Sequence, residues 1–77
     1  MKKGDIVRVT RLTESDKKET ALQVGHTGVI VRTYKFATQN PIYDVKFGPG
    51  RVPLNAFNAT PDGSYSMFAD QLEPIRQ

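Results

Sequence analysis

The sequence predicts an all-β protein, a single small barrel of five strands that covers residues 1–77. Three observations lead to this prediction. Apolar and polar side chains alternate in several short segments, as they do in half-buried strands. Glycines introduce two of these segments, as expected where a small β-structure turns a sharp corner. The chain shows no internal repeat and no long amphipathic helical pattern.

The first predicted strand covers residues 5–12. Val7 and Val9 share one face of this strand and are expected to point into the core. Residues 13–20 follow without any apolar side chain, so they are expected to bury nothing. The sequence therefore predicts a long, charged, solvated first loop.

The second predicted strand covers residues 27–36. Gly25 and Gly28 mark a turn with unusual backbone angles at its start. A strand of this length must bend strongly if a small barrel is to close. Residues 37–41 end in a proline and are predicted to form the next turn.

The third predicted strand, residues 42–47, has the clearest alternation. We expect one face to point into the core, with Tyr43, Val45 and Phe47. The other face is expected to lie in water, with Asp44 and Lys46. Residues 51–66 then form a loop that is long for so small a domain. Three apolar side chains are expected to hold this loop against the barrel: Val52, Leu54 and Phe57.

The C-terminal part contains the remaining elements. Residues 61–64 have the composition of a tight turn, and residues 65–68 are predicted to form the fourth strand. A single helical turn over residues 69–72 is expected to place Leu72 in the end of the barrel. Residues 73–75 are predicted to form a short final strand at a sheet edge, where a proline is tolerated.

Composition limits the classes of function. The formal net charge is +3 and the isoelectric point is about 9.5, which favours polyanionic partners weakly. The chain has no cysteine, so disulfides and thiolate zinc sites are excluded. No apolar run is long enough to span a membrane, and a cytoplasmic location is expected. His26 is the single histidine and is expected to be an exposed turn residue. We therefore predict no enzyme activity, no catalytic residue, no metal site and no cofactor.

Two segments together resemble a known motif. Lys3-Gly4-Asp5-Ile6-Val7-Arg8-Val9, followed by Gly25-His26-Thr27-Gly28-Val29-Ile30, resembles the KOW motif of ribosomal proteins and NusG-type transcription factors. The closing Phe68-Ala69-Asp70-Gln71-Leu72-Glu73-Pro74 is similar to the end of many SH3-like barrels. The resemblance implies an SH3-like barrel that binds nucleic acid or a nucleoprotein assembly. The connection between the two strands is longer and more mixed in charge here than in a KOW motif.

The order of motifs along nearly the whole chain is also similar to the small peripheral subunit of photosystem I. The shared order is Gly-x-x-Val-x-Val, Val-Gly-x-x-Gly-x-Ile, Tyr-x-Val-x-Phe, a long loop with asparagines, and Phe-Ala-x-x-Leu. That family is an SH3-like barrel that docks other proteins. The second resemblance therefore implies the same fold and a different kind of partner.

Two binding surfaces are predicted. Basic groups hold phosphates and an exposed ring can stack on a base. The predicted nucleic-acid surface consists of Arg8, Arg11, Arg32, Tyr34, Lys35, Lys46 and Arg51. The alternative is an accessory subunit or a small phage-type inhibitor that binds a larger protein through Leu54, Phe57 and Tyr65. A third interpretation is a binder of small anionic ligands.

Overall fold

The computed structural model describes residues 1–36 and 39–75, and it is an all-β fold, as predicted. Its elements follow in chain order: β1 (Ile6–Val9), α1 (Glu14–Glu19), β2 (Thr27–Phe36), β3 (Gln39–Phe47), β4 (Tyr65–Phe68), a 3-10 helix (Ala69–Gln71) and β5 (Leu72–Pro74). The five strands, the long connections after β1 and β3 and the helical turn before β5 confirm the predicted order of elements.

The five strands form one antiparallel sheet in the order β4-β3-β2-β1-β5. The two longest strands, β2 and β3, pair with each other, and each has a shorter strand on its other side: β1 beside β2 and β4 beside β3. Among the described residues β4 and β5 are not paired with each other, so the sheet does not close into a hydrogen-bonded barrel. The prediction of a closed barrel is therefore wrong in this respect.

One face of the sheet carries the hydrophobic core. Val7 and Val9 of β1 are fully buried, and Tyr43 and Val45 of β3 lie beside them, as the alternation predicted. Phe47 is half-buried and packs against the same cluster. The cluster is completed by Leu22, Ile30, Ala56, Tyr65, Met67 and Leu72. The sheet thus has an inner face that covers the core and an outer face turned away from it.

A bulge in β2 decides which of its side chains reach the outer face. Ile30 pairs with Val45, but the next pair is Arg32 with Asp44, so β2 has one extra residue at this point. Without the extra residue Arg32 would share the inner face with Ile30, because side chains two apart point the same way. The bulge therefore places Arg32 on the outer face and supplies part of the predicted bend.

The segment after β1 is not a solvated loop. Residues 14–19 form α1, and Thr13 caps its start, since its hydroxyl accepts a hydrogen bond of 3.1 Å from the Asp16 backbone N–H. The Asp16 carboxylate accepts a bond from the Thr13 backbone N–H in return, which completes a capping box. Asp16 is only 4% exposed. The prediction that this segment buries nothing is wrong, because a hydrogen-bonded carboxylate can be buried where a lone charge cannot.

The structure describes only part of the turn predicted over residues 37–41. Ala37 and Thr38 lie outside the described residues. Residues 39–41 belong to the start of β3, so this strand begins earlier than the predicted residue 42. Pro41 lies where β3 extends beyond the pairs that it makes with β4, and an unpaired strand edge tolerates the missing N–H.

Candidate functional site

The connection between β3 and β4 exposes large apolar side chains. Leu54 is 75% exposed and Phe57 is 85% exposed, more than any other large apolar side chain of the described residues. We call residues 51–58 the apolar loop. The prediction that Leu54 and Phe57 hold this loop against the sheet is wrong. Val52 packs against the core, as predicted, and the buried Ala56 holds the loop in place of Leu54 and Phe57.

The apolar loop is anchored at its start, its middle and its end. The backbone C=O of Arg51 accepts a hydrogen bond of 2.8 Å from the Ala21 N–H. Ala56 lies in the core, and its N–H donates a bond of 3.1 Å to the Pro53 C=O. The Asn58 C=O accepts a bond of 3.0 Å from the N–H of Ser66 in β4. Leu54 and Phe57 are thus presented to solvent from a fixed backbone.

His26 contributes to the first anchor. Its Nδ1 accepts a hydrogen bond of 3.0 Å from the Gln23 N–H, and its Nε2 contacts the guanidinium of Arg51. The ring is half-buried between these groups, so the prediction of an exposed turn residue is wrong. His26 therefore joins the turn before β2 to the start of the apolar loop.

The tight turn predicted over residues 61–64 is confirmed and is bound by Arg32. The backbone turns at Gly63, whose φ of 87° favours glycine, and the Gly63 N–H donates to the Thr60 C=O. Nη2 of Arg32 lies 3.0 Å from the Asp62 carboxylate and donates a 3.0 Å hydrogen bond to the Ser64 hydroxyl. Bonds from the Thr60 hydroxyl, and then from Ser64 and Arg32, lower the pKa of Asp62.

Arg32 also neutralises a buried carboxylate on the outer face. Asp44 is only 1% exposed, and its Oδ2 accepts hydrogen bonds from Arg32 Nε at 2.8 Å and from the Tyr34 hydroxyl at 3.0 Å. Its Oδ1 accepts a bond of 2.6 Å from Ser66. The bond to Asp44, and then the bond to Asp62, raise the pKa of Arg32. The prediction that Asp44 lies in water is wrong, because these partners cover it.

Next to this cluster an apolar row crosses three strands. Tyr34 pairs with Ile42, and Ile42 pairs with Phe68, so the three side chains share the outer face. Tyr34 is 41% exposed and Phe68 is 49% exposed. Lys46 lies on the same face of β3, because it alternates with Tyr43 and Val45. We call Tyr34, Ile42 and Phe68 the aromatic row.

The predicted basic residues are spread over several places. Arg8 pairs with Glu73 at 3.2 Å, and Arg11 pairs with Asp70 at 2.7 Å, both at the surface. Lys35 and Lys46 are exposed and make no ion pair with any described residue. The structure brings Arg32, Tyr34 and Lys46 onto one face, as predicted, but the charge of Arg32 is already matched by two carboxylates.

Tyr65, predicted as a docking residue, lies in the core with 1% of its surface exposed. The prediction that it shares a surface with Leu54 and Phe57 is therefore wrong. Phe68, which was not predicted as a site residue, is exposed instead. The signal for Phe68 was the alternation within β4, since buried Tyr65 and Met67 place Ser66 and Phe68 on the other face.

Residues 1–36 and 39–75 hold no group of three His, Cys, Asp or Glu side chains arranged to bind a metal ion. No helix in this part of the chain is long and apolar enough to cross a membrane.

The fold and these surfaces define a small all-β domain. Comparison with known protein families, with curated proteins and with solved structures finds no match to this chain. The resemblances to the KOW motif and to the photosystem I subunit therefore stay predictions.

Proposed function

We propose that this protein is a non-enzymatic binding module whose apolar loop docks it onto a larger protein. The observation that carries the proposal is the exposure of Leu54 and Phe57 on a loop whose backbone is anchored at three points. Burying a Leu or Phe side chain contributes about 1.5–3 kcal/mol each, so the pair can supply the central anchors of an interface. A fixed backbone lowers the entropy lost on binding.

Affinity capture with matched variants tests this proposal. The tagged chain is exposed to a lysate of the cells that naturally produce it, and captured proteins are identified by mass spectrometry. Phe57→Ser should abolish capture of the specific partner, whereas Phe68→Ser removes an equally large exposed ring from the aromatic row and should leave capture unchanged. Because apolar anchors dominate, capture should survive high salt. A partner that both variants retain equally would refute docking through the apolar loop.

A second candidate function is binding of single-stranded nucleic acid on the outer face of the sheet. The aromatic row offers two exposed rings for stacking, and Lys46 lies on the same face. Stacking on an aromatic ring contributes about 1–3 kcal/mol per base, which makes the two rings the main source of affinity. We rank this function second because Arg32 already forms ion pairs with Asp44 and Asp62. A guanidinium held by two carboxylates cannot also hold a phosphate.

The same two variants separate the candidates. In fluorescence anisotropy with short labelled DNA and RNA, Phe68→Ser should lower affinity and Phe57→Ser should not. If Lys46 holds one phosphate, the slope of log K against log salt should be about −0.7. A complex that Phe68→Ser does not weaken would remove the aromatic row as the nucleic-acid site.

A further inference from the structure

We infer that the protein surface bound by the apolar loop is acidic, with Asp or Glu side chains around an apolar cleft. This inference rests on the proposed function. It concerns the chemistry of the partner rather than the existence of the docking site.

The charges of the segment that carries the apolar loop all have one sign. Between Asp44 and Asp62 the sequence contains no Asp or Glu, and its only charged residues are Lys46, on the outer face of β3, and Arg51, at the start of the apolar loop. The exposed apolar side chains Leu54 and Phe57 lie in the same stretch. Arg51 is therefore the charge that lies beside the apolar anchors, and carboxylates at the edge of an apolar cleft match it.

The charges of the neighbouring helix α1 do not cancel the positive charge of Arg51. The Ala21–Arg51 hydrogen bond brings the end of α1 close to the start of the apolar loop. The exposed charges of the helix are two lysines and two glutamates: Lys17, Lys18, Glu14 and Glu19. Its Asp16 is buried, and the carboxylate accepts hydrogen bonds from Tyr65 and Gln71. The exposed charges of α1 thus sum to zero, and the loop segment determines the local charge.

Arg51 is the charged residue best placed to select an acidic partner. It begins the apolar loop, its backbone is fixed by Ala21, and its half-buried side chain rests against His26. An arginine held in this way loses less side-chain freedom when it meets a carboxylate than a free lysine does. Arg51 therefore adds charge selectivity next to the apolar anchors Leu54 and Phe57.

Three short amphipathic peptides test the inference. They share the same Leu and Phe positions and carry Glu, Gln or Lys at every polar position. Each is titrated into the full-length ¹⁵N-labelled chain, and amide shifts of residues 51–58 are followed at low and high salt. The Glu peptide should bind about fivefold more tightly than the Gln peptide at low salt, the Lys peptide should bind most weakly, and the differences should shrink at high salt.

Variants assign the effect to single residues. Arg51→Gln should reduce the preference for the Glu peptide, while Lys35→Gln, an exposed charge at the far end of β2, should not. A preserved Ala21 amide shift checks that the loop remains anchored in Arg51→Gln. Equal binding of the Glu and Gln peptides would overturn the acidic partner and leave the docking site intact. Absence of shifts in residues 51–58 with all three peptides would overturn both proposals.

Discussion

The hydroxyl of Tyr65 donates a hydrogen bond of 2.5 Å to Oδ1 of Asp16, across 49 positions of the sequence. Oδ2 of the same carboxylate accepts a bond of 2.8 Å from the amide of Gln71. Asp16 therefore links α1 to β4 and to the 3-10 helix inside the protein. Since α1 has only six residues, it is too short to be stable alone, and this contact fixes it to the sheet.

We predict that Tyr65→Phe destabilises the protein by about 1.5–3 kcal/mol, because it removes a hydrogen bond to a buried charged group. Urea unfolding measures the change. Tyr43→Phe is the matched control, since Tyr43 is also buried but its hydroxyl makes no side-chain hydrogen bond with any described residue. If the two substitutions cost the same, the hydrogen bond to Asp16 does not stabilise the fold.

Stability should also depend on pH through Asp16. Burial raises the pKa of this carboxyl, but bonds from Tyr65, Thr13 and Gln71 outweigh burial and lower it below its ordinary value. A lowered folded-state pKa means that the stabilisation is complete above about pH 4 and is lost as the pH falls through the folded-state pKa. Asp16→Asn should therefore be less stable than the wild type at about pH 6, and the difference should shrink below about pH 4.

Asp62 titrates in the same direction, because its pKa is also lowered. The Asp16→Asn protein should accordingly keep part of the acid dependence, and Asp62→Asn combined with Asp16→Asn should remove more of it. Unfolding curves at several pH values check this. A constant difference between wild type and Asp16→Asn at every pH would show that the charge of Asp16 is not involved.

The strands could be predicted from the alternation of apolar and polar residues. The helix α1 could not be predicted in this way, because it contains no apolar side chain. Val7, Val9, Tyr43 and Val45 alternate with polar residues, and this period determines which face is buried. Residues 14–19 lack such a pattern because α1 is held by a buried carboxylate instead of an apolar stripe. The spacing of Thr13 and Asp16 is that of a capping box, and it was the available signal for the start of a helix.

Arg32→Lys should loosen the turn over residues 60–64 without unfolding the sheet. A lysine keeps the charge, but it cannot bind Asp44 through Nε while it contacts Asp62 and Ser64 through Nη2. Amide hydrogen exchange at Ser64 should become faster, and exchange at Ile30 should stay unchanged because its N–H donates to the C=O of Asp5, just before β1. Equal acceleration at both amides would indicate global destabilisation and would refute a local clamp.

The candidate sites were less predictable than the sheet, for two physical reasons. The basic residues were identified by type, but the partner of each charge depends on register, and the bulge after Ile30 puts Arg32 beside Asp44. The apolar loop was predicted to pack through its largest side chains. Its backbone path instead buries the small Ala56, which leaves Phe57 in solvent. Neither the bulge nor the path of a long loop has a period that a sequence pattern could reveal.

Phe57→Ser should change the free energy of unfolding by no more than about 0.5 kcal/mol, because an exposed side chain contributes little to folding. Ala56→Leu, one position earlier, should destabilise the protein by about 1–3 kcal/mol, since it forces extra atoms into a packed core. Thermal and urea unfolding of both variants provide the comparison. A large loss of stability in Phe57→Ser would mean that the ring packs on the protein and is not free to dock.

The two glycines before and within β2 should respond in opposite ways to substitution. Gly25 has φ of 99° and open space where a Cβ would lie, so only its backbone angle restricts it. Gly28 has no positive φ, contrary to the sequence prediction, but its Cβ would lie 2.7 Å from Val45 Cγ1 and 2.8 Å from the Lys46 C=O oxygen. Asparagine tolerates positive φ better than alanine and is larger. Gly25→Asn should therefore be more stable than Gly25→Ala, whereas Gly28→Asn should be less stable than Gly28→Ala. Urea unfolding of the four variants measures their stabilities. If the Asn and Ala variants rank in the same order at both positions, a single cause, either backbone angle or packing, acts at both.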